Sequence, residues 1–318
     1  MEIAFILLIH AQAQEDWQGG LIQKDGGAMP LLLIRENSMG KIVTFIALCC
    51  SLFTATAAFS QDAPAAAVAQ GAKYVALGSS FASEPGIAAQ LGSCGRSDQN
   101  YAHLVAAALD LTLTEVSCNG ATIANILNTS QGDAAPQIDA VSRDTALVTV
   151  TIGGNGINFT SSTFACTGTA PDEHCTSNLD QAMINEAVNQ LPTQLGAMLD
   201  AIKAKAPQAT IVLVTYPRIF PTDATSCRAL ELSADDTAYL AALGQKLEDA
   251  FVSATSSRQS LIADAYVRAE GHGPCATADR WVNGANVADT GIRFHPTAKG
   301  HIEMARLVLA ALESKGVP

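Results

Sequence analysis

The chain has 318 residues, of which 48% are hydrophobic and only 5% aromatic, so it can bury a sizeable core and is too apolar to be a disordered protein. Its formal charge of −12 excludes the basic surface that a nucleic-acid partner would need and leaves neutral or cationic contacts as the expected ones. A single domain is the natural expectation for this length.

In chain order, the first distinctive segment is Met39-Gly-Lys41, followed by an uncharged apolar run from Ile42 to Phe53 and then the small residues Ala55 to Ser60. This reads as a secretory signal peptide over 39–60, with cleavage after Ser60 preferred and cleavage after Ala57 as the alternative. A membrane span wants about 20 strongly apolar residues, and this run dissolves into Thr, Ser and Ala, so no stable membrane insertion is expected after cleavage. Residues 1–38 are read as an upstream leader or a mis-assigned start, with Met39 the expected true start. Secreted or periplasmic localisation follows. Residues 61–72 form a short Ala-rich linker, and 73–318 form the catalytic domain.

Apolar runs at Tyr74–Leu77, Leu111–Val116, Ala146–Ile152, Thr210–Thr215 and Leu261–Tyr266 predict strands buried on both faces of a sheet. Between them, Leu191, Leu195, Met198, Leu199 and Ile202 recur at the spacing of one helix face, with Pro207 as a stop. Leu240, Leu243, Leu247 and Phe251 form a second stripe opened by a capping-box variant of Ser233 and Asp236, and His301–Leu312 predicts the last helix. Alternating strands and helices predict an α/β fold with a parallel, doubly wound sheet. The Thr-, Ser- and Cys-rich segments 158–178 and 219–233 read as loops on its rim.

Ligands of such sheets bind where strands end, and four strand-following loops carry chemistry-bearing residues. They are Gly78-Ser79-Ser80-Phe81-Ala82-Ser83, Ser117-Cys118-Asn119-Gly120-Ala121-Thr122, Gly153-Gly154-Asn155-Gly156, and Phe294-His295-Pro296-Thr297 before the final helix. Together they offer a hydroxyl, backbone and side-chain amide donors, and an imidazole, which is the inventory of acyl transfer. Beyond residue 60 the chain keeps six cysteines, Cys94, Cys118, Cys166, Cys175, Cys227 and Cys275, which in an oxidising compartment points to three disulfides among 15 possible pairings. No spacing suits a metal site, and no cofactor is called for.

The order and texts of these loops resemble the SGNH hydrolases, the GDSL lipase and esterase family, from Lys73 to about Leu312. Asn100-Tyr101 and Pro136-Gln-Ile-Asp139-Ala are further echoes. The resemblance implies a flavodoxin-like three-layer α/β/α sandwich with a central five-stranded parallel sheet. It implies a secreted serine esterase or lipase that hydrolyses lipid or small-alcohol esters through an acyl-enzyme. Ser80 takes the nucleophile's place and His295 the base's, while Ser80, Gly120 and Asn155 take those of the oxyanion hole. Consecutive disulfides, Cys94–Cys118, Cys166–Cys175 and Cys227–Cys275, are implied as well.

Three positions depart from the family pattern. Ser79 and Gly156 replace aspartates that support loops, and Ile292 stands three residues before His295 where the triad acid is expected. The main-chain carbonyl of Ile292 is the expected orienter of His295, with Asp289 as the alternative. A carbohydrate acetyl esterase of the same fold and a non-catalytic binding protein on a degenerate hydrolase scaffold are the competing functions.

Overall fold

The computed structural model describes residues 68–316 apart from 88–89, 169–173, 224–225 and 288–289. The expected leader 1–38, the signal peptide 39–60 and the start of the linker lie outside the described residues. In chain order the elements are β1 (Lys73–Gly78), the single helical turn α1 (Ser80–Ser83), a small hairpin of β2 (Gln90–Leu91) and β3 (Arg96–Ser97), and α2 (Tyr101–Leu109). Then come β4 (Thr112–Glu115), α3 (Ile123–Leu127), β5 (Thr145–Thr151), α4 (Phe159–Cys166), α5 (Gln181–Lys205) and β6 (Thr210–Val214). The chain continues with α6 (Ala234–Ser256), β7 (Leu261–Ala263), α7 (Ala265–Arg268) and α8 (Ala298–Glu313).

The main sheet has five parallel strands in the order β4-β1-β5-β6-β7. Side chains alternate across a strand, so Val75, Leu77, Val148, Val150, Ile211 and Leu213 face one core, which α3, α5 and α6 close. Tyr74, Ala76, Leu147, Val212 and Val214 face the other, closed by α2 and α8. That is the expected three-layer sandwich. On the second face the β5 hydroxyls of Thr149 and Thr151 bond to the buried hydroxyls of Tyr74 (2.7 Å) and Tyr101 (3.0 Å), so these four hydroxyls are matched. The strand order reverses between β1 and β5, and this switch point opens the crevice where ligands of such sheets bind.

Two predicted elements differ. The segment 158–178 is not simply a loop, because α4 and a 3-10 turn at Cys175–Asn178 lie within it. Its hydroxyls are absorbed along the helix, Thr163 Oγ1 donating to Phe159 O (2.9 Å) and Thr167 Oγ1 to Thr163 O (2.7 Å). The last strand stops at Ala263, since Asp264 turns to cap α7 by accepting from Val267 N (2.8 Å). At the start of α6 the expected capping-box variant is present: Ser233 Oγ accepts from Asp236 N (3.1 Å) and donates to Asp236 Oδ2 (2.8 Å). Asp236 Oδ1 accepts from the backbone and hydroxyl of Thr176 (3.0 and 2.7 Å), tying α6 to the turn beside Cys175.

The six cysteines form the three consecutive disulfides, Cys94–Cys118, Cys166–Cys175 and Cys227–Cys275. The first joins the β2–β3 hairpin to the loop after β4.

Candidate active site

Strand β1 delivers Ser80 through a turn with almost no free space. Gly78 has φ +146°, and a Cβ there would lie 2.5 Å from Thr151 O and 2.7 Å from Ala82 Cβ, so only glycine fits. The buried Gln137 side chain clamps both sides of this residue, accepting from Gly78 N (2.8 Å) and donating to Gly78 O (2.9 Å). Ser79 N donates to Thr151 O (2.9 Å) and Cys118 N to Gly78 O (3.0 Å), so the loops after β5 and β4 brace the same turn.

His295 comes from the loop before α8, whose first turn is capped by Thr297 accepting from Gly300 N (3.1 Å). Its Nε2 is 2.7 Å from Ser80 Oγ and its Nδ1 is 2.9 Å from Arg293 O. A carbonyl only accepts, so the proton is on Nδ1 and the Nε2 lone pair faces the serine hydroxyl. Both residues are 2% exposed. The ring lies between Phe81 (centroids 4.5 Å apart) and Phe164 (6.1 Å), with the Arg293 guanidinium over the Phe164 face (4.8 Å). Burial lowers the imidazole pKa to about 4 against the opposing pull of the Arg293 carbonyl, so the ring is neutral at physiological pH. This is the arrangement in which an imidazole can accept a proton from an attacking hydroxyl.

The carbonyl beneath the ring corrects one expectation: it belongs to Arg293, not Ile292. Phe294 adopts a left-handed φ of +56°, while the Ile292 carbonyl is occupied by His295 N (3.3 Å) and Asn283 Nδ2 (3.4 Å). Three residues is the spacing for a side-chain acid, whereas here the main-chain oxygen that meets the ring comes from two residues before it. Asp289 lies outside the described residues.

The two other loops are tied to each other. Asn155 is half-buried and donates one Nδ2 hydrogen to Ala121 O (2.9 Å), next to the exposed, left-handed Gly120 (φ +83°). Gly120 follows Asn119, whose N donates to Cys94 O (2.9 Å) and whose carbonyl accepts from Gln131 Nε2 (2.7 Å), so the Cys94–Cys118 bridge and Gln131 hold this loop.

Sequence reasoning missed Tyr216. It follows β6, is 3% exposed, and its hydroxyl meets Ser79 Oγ (3.0 Å) while accepting from Gly154 N (3.2 Å). The position where the family pattern has an aspartate is therefore filled by a Ser79–Tyr216–Gly154 bridge joining the loops after β1, β5 and β6. A buried tyrosine directly after a strand was the available signal, since its hydroxyl must find a partner. Tyr216→Phe leaves the Gly154 N–H without its acceptor and is expected to cost about 1–3 kcal/mol, read as a lower urea midpoint. An unchanged midpoint would remove the bridge from the account of the site.

Three other described histidines make no hydrogen bond to this pair. His103 pairs with Glu115 (3.1 Å), His272 stacks on Trp281 (4.8 Å), and His301 is buried on α8. Arg218 stacks on Tyr266 (3.9 Å), pairs with Glu270 (3.0 Å) and lines a cavity of about 280 Å³ between the loops after β6 and α7.

A doubly wound sheet with a serine–histidine contact at its switch point has the form of a hydrolase site, and comparison with known proteins gives the family. The GDSL-like lipase/acylhydrolase family matches residues 76–301, and the chain belongs to it. It is similar to Lipase 2 of Streptomyces coelicolor, with 34% identity over 75% of this chain and 85% of that protein, and to a lipase of Streptomyces rimosus, with 31% identity over 79% and 88%. Among solved structures, the extracellular lipase of Streptomyces rimosus matches with a TM-score of 0.64 and 27% identity, covering 76% of this chain and 99% of that one. Phospholipase A1 of Streptomyces albidoflavus matches at 0.62 and 26%, covering 77% and 99%. The protein is a carboxylic ester hydrolase of this family.

Proposed function

We propose that this enzyme hydrolyses lipid acyl esters, with Ser80 as nucleophile and His295 as general base. The supporting observation is the 2.7 Å contact of Ser80 Oγ with a neutral His295 whose other nitrogen is fixed by the Arg293 carbonyl. As Ser80 attacks the ester carbonyl, Nε2 takes the hydroxyl proton, and the imidazolium then gives it to the leaving alcohol. The Ser80 and Gly120 backbone N–H groups and the second N–H of the Asn155 amide serve as donors to the oxyanion. Water, activated by the same ring, releases the acid from the acyl-enzyme.

An acyl chain is favoured over a sugar because the half-buried Phe164 ring lies beside His295 (6.1 Å), backed by the buried Phe294 and Phe220, with centroids 6.2 and 6.5 Å apart. An apolar surface beside the base suits a hydrocarbon chain. The relatives named lipase and phospholipase A1 agree.

The protein is proposed to act outside the cytoplasm, secreted or periplasmic. Three disulfides favour an oxidising compartment, and the run from Ile42 to Phe53 has the character of an export signal. Among the described residues no helix is long and apolar enough to cross a membrane.

A panel of p-nitrophenyl acetate, butyrate, octanoate and palmitate, phospholipid vesicles and acetylated xylan tests this reading, with a fluorophosphonate to label the nucleophile. Medium or long acyl esters are expected to give the highest kcat/KM, with the label on Ser80. Preference for acetylated xylan would support a carbohydrate esterase, and no turnover of any ester with no label would support a binding protein.

A further inference from the structure

Close behind the nucleophile lies a pair of titratable groups that ester hydrolysis does not use. Glu84 ends the helical turn α1 with a left-handed backbone (φ +65°, ψ +60°), and its N–H donates to Ser80 O (3.1 Å). This conformation favours glycine, and a glutamate there needs support from its side chain. The side chain is wholly buried, with Oε1 3.8 Å from Nε2 of the equally buried His301 on α8. Since His301 Nδ1 accepts from Tyr101 N (3.2 Å), the imidazole hydrogen sits on Nε2 and faces the carboxyl group.

Other groups surround the pair. On the segment from β3 to α2, the Ser97 hydroxyl favours the charged carboxylate without reaching ordinary hydrogen-bond geometry, and Asp98 opposes it. Glu115, at the end of β4, opposes it too, but its own charge is absorbed by Ser117 Oγ (2.6 Å), Asn100 Nδ2 (2.7 Å) and His103 Nε2 (3.1 Å). Arg96 NH1 is turned to the carbonyls of Glu115 and Ser117 (3.4 and 3.5 Å), the Tyr101 ring stacks on His301 (6.1 Å), and His295 adds to the forces keeping His301 neutral. Among the described residues no lysine or arginine pairs with Glu84.

We propose that Glu84 is a positioning residue for the nucleophile: its buried carboxyl group, facing His301, holds the left-handed turn that fixes Ser80. This rests on Ser80 being the nucleophile. The turn is four residues long and Ser79 gives it no side-chain cap, so the Glu84 end carries its geometry. Burial raises the Glu84 pKa to about 8 and lowers that of His301 to about 3, so between these values the facing groups are a neutral acid and a neutral imidazole. Ionisation above that range puts an unpaired charge in the core, and the side chain finds water only by leaving the turn, which releases Ser80.

Measuring kcat and KM from pH 6 to 10 for the wild type, Glu84→Gln and Glu84→Gly, with thermal unfolding at each pH, tests the proposal. The wild type is expected to lose kcat along an alkaline limb centred near pH 8, with KM steady. Glu84→Gln, isosteric and unable to ionise, should keep kcat at pH 7 within about threefold and lose that limb. Glu84→Gly suits the left-handed backbone, so it should melt no lower than the wild type yet lose about tenfold or more in kcat, with slower fluorophosphonate labelling.

Linkage adds a readout independent of turnover. A carboxyl group raised from 4.5 to about 8 contributes stability that is full below pH 4.5 and lost as pH rises toward 8. Glu84→Gln should therefore gain in Tm on the wild type across that window. An alkaline limb retained in Glu84→Gln, a wild-type kcat in Glu84→Gly, or a Tm difference independent of pH would each overturn the proposal. Ser80→Ala, assayed alongside, separates the two readings: turnover that survives it removes the nucleophile, whereas an inactive Ser80→Ala beside silent Glu84 variants removes only the role of Glu84.

Discussion

Ser80→Ala and His295→Ala are each expected to lower kcat on p-nitrophenyl butyrate by about 10⁴- to 10⁶-fold, and the double variant should be no slower than either. In the proposed mechanism the two side chains act through one proton transfer across 2.7 Å, so removing either partner removes the step. KM should change little, because neither group is needed to hold the ground-state ester. The wild-type pH profile belongs to the same prediction. Burial lowers the His295 pKa to about 4, so the unprotonated base persists well below neutrality and kcat/KM should fall only as pH drops through about 4. An acid limb near 6.5 would mean a solvated ring, and losses that multiply in the double variant would mean independent roles. The buried state of this histidine has a cost for the fold as well. Below pH 6.5 the unfolded chain binds a proton that the folded ring refuses until about pH 4, so stability should decline across that window.

The architecture was legible because its signals are redundant along the chain. A strand buried on both faces is largely apolar, and β1, β5 and β6 each carry such a run, so Tyr74–Leu77 and Thr210–Thr215 stand out without any knowledge of their partners. The loops after these strands were legible for a related reason: glycine before Ser80 and around Asn155 marks tight backbone approach, which at Gly78 leaves no room for a Cβ.

What stayed hidden depends on contacts between distant segments or on backbone atoms. The carbonyl under His295 carries no residue signature, and the left-handed Phe294 that goes with it does not follow from an aromatic side chain. Tyr216 matters because Ser79 and Gly154 converge on its hydroxyl from 137 and 62 residues away. Helix α4 was obscured by Thr and Ser, whose hydroxyls compete with the backbone until they fold back onto it. Glu84 carries no mark of burial in the sequence, and only the tertiary structure buries it.

Asn155→Ala is expected to lower kcat by about 10²- to 10³-fold with KM nearly unchanged, the loss typical of one oxyanion donor. The amide has two hydrogens, and one is spent on Ala121 O at 2.9 Å, which fixes the plane of the group and so aims the other. A preoriented donor helps most where charge develops, because no reorganisation is needed at the moment of reaction. Asn155→Asp should be worse than alanine although it is nearly isosteric. Its carboxylate would face the Ala121 carbonyl oxygen with no hydrogen to share and would oppose the growing negative charge on the substrate. Alanine therefore reports the missing donor, and aspartate adds the repulsion. If Asn155→Ala kept kcat within about threefold of the wild type, the amide would be only a tie between two loops, and stabilisation of the oxyanion would fall to the backbone of Ser80 and Gly120.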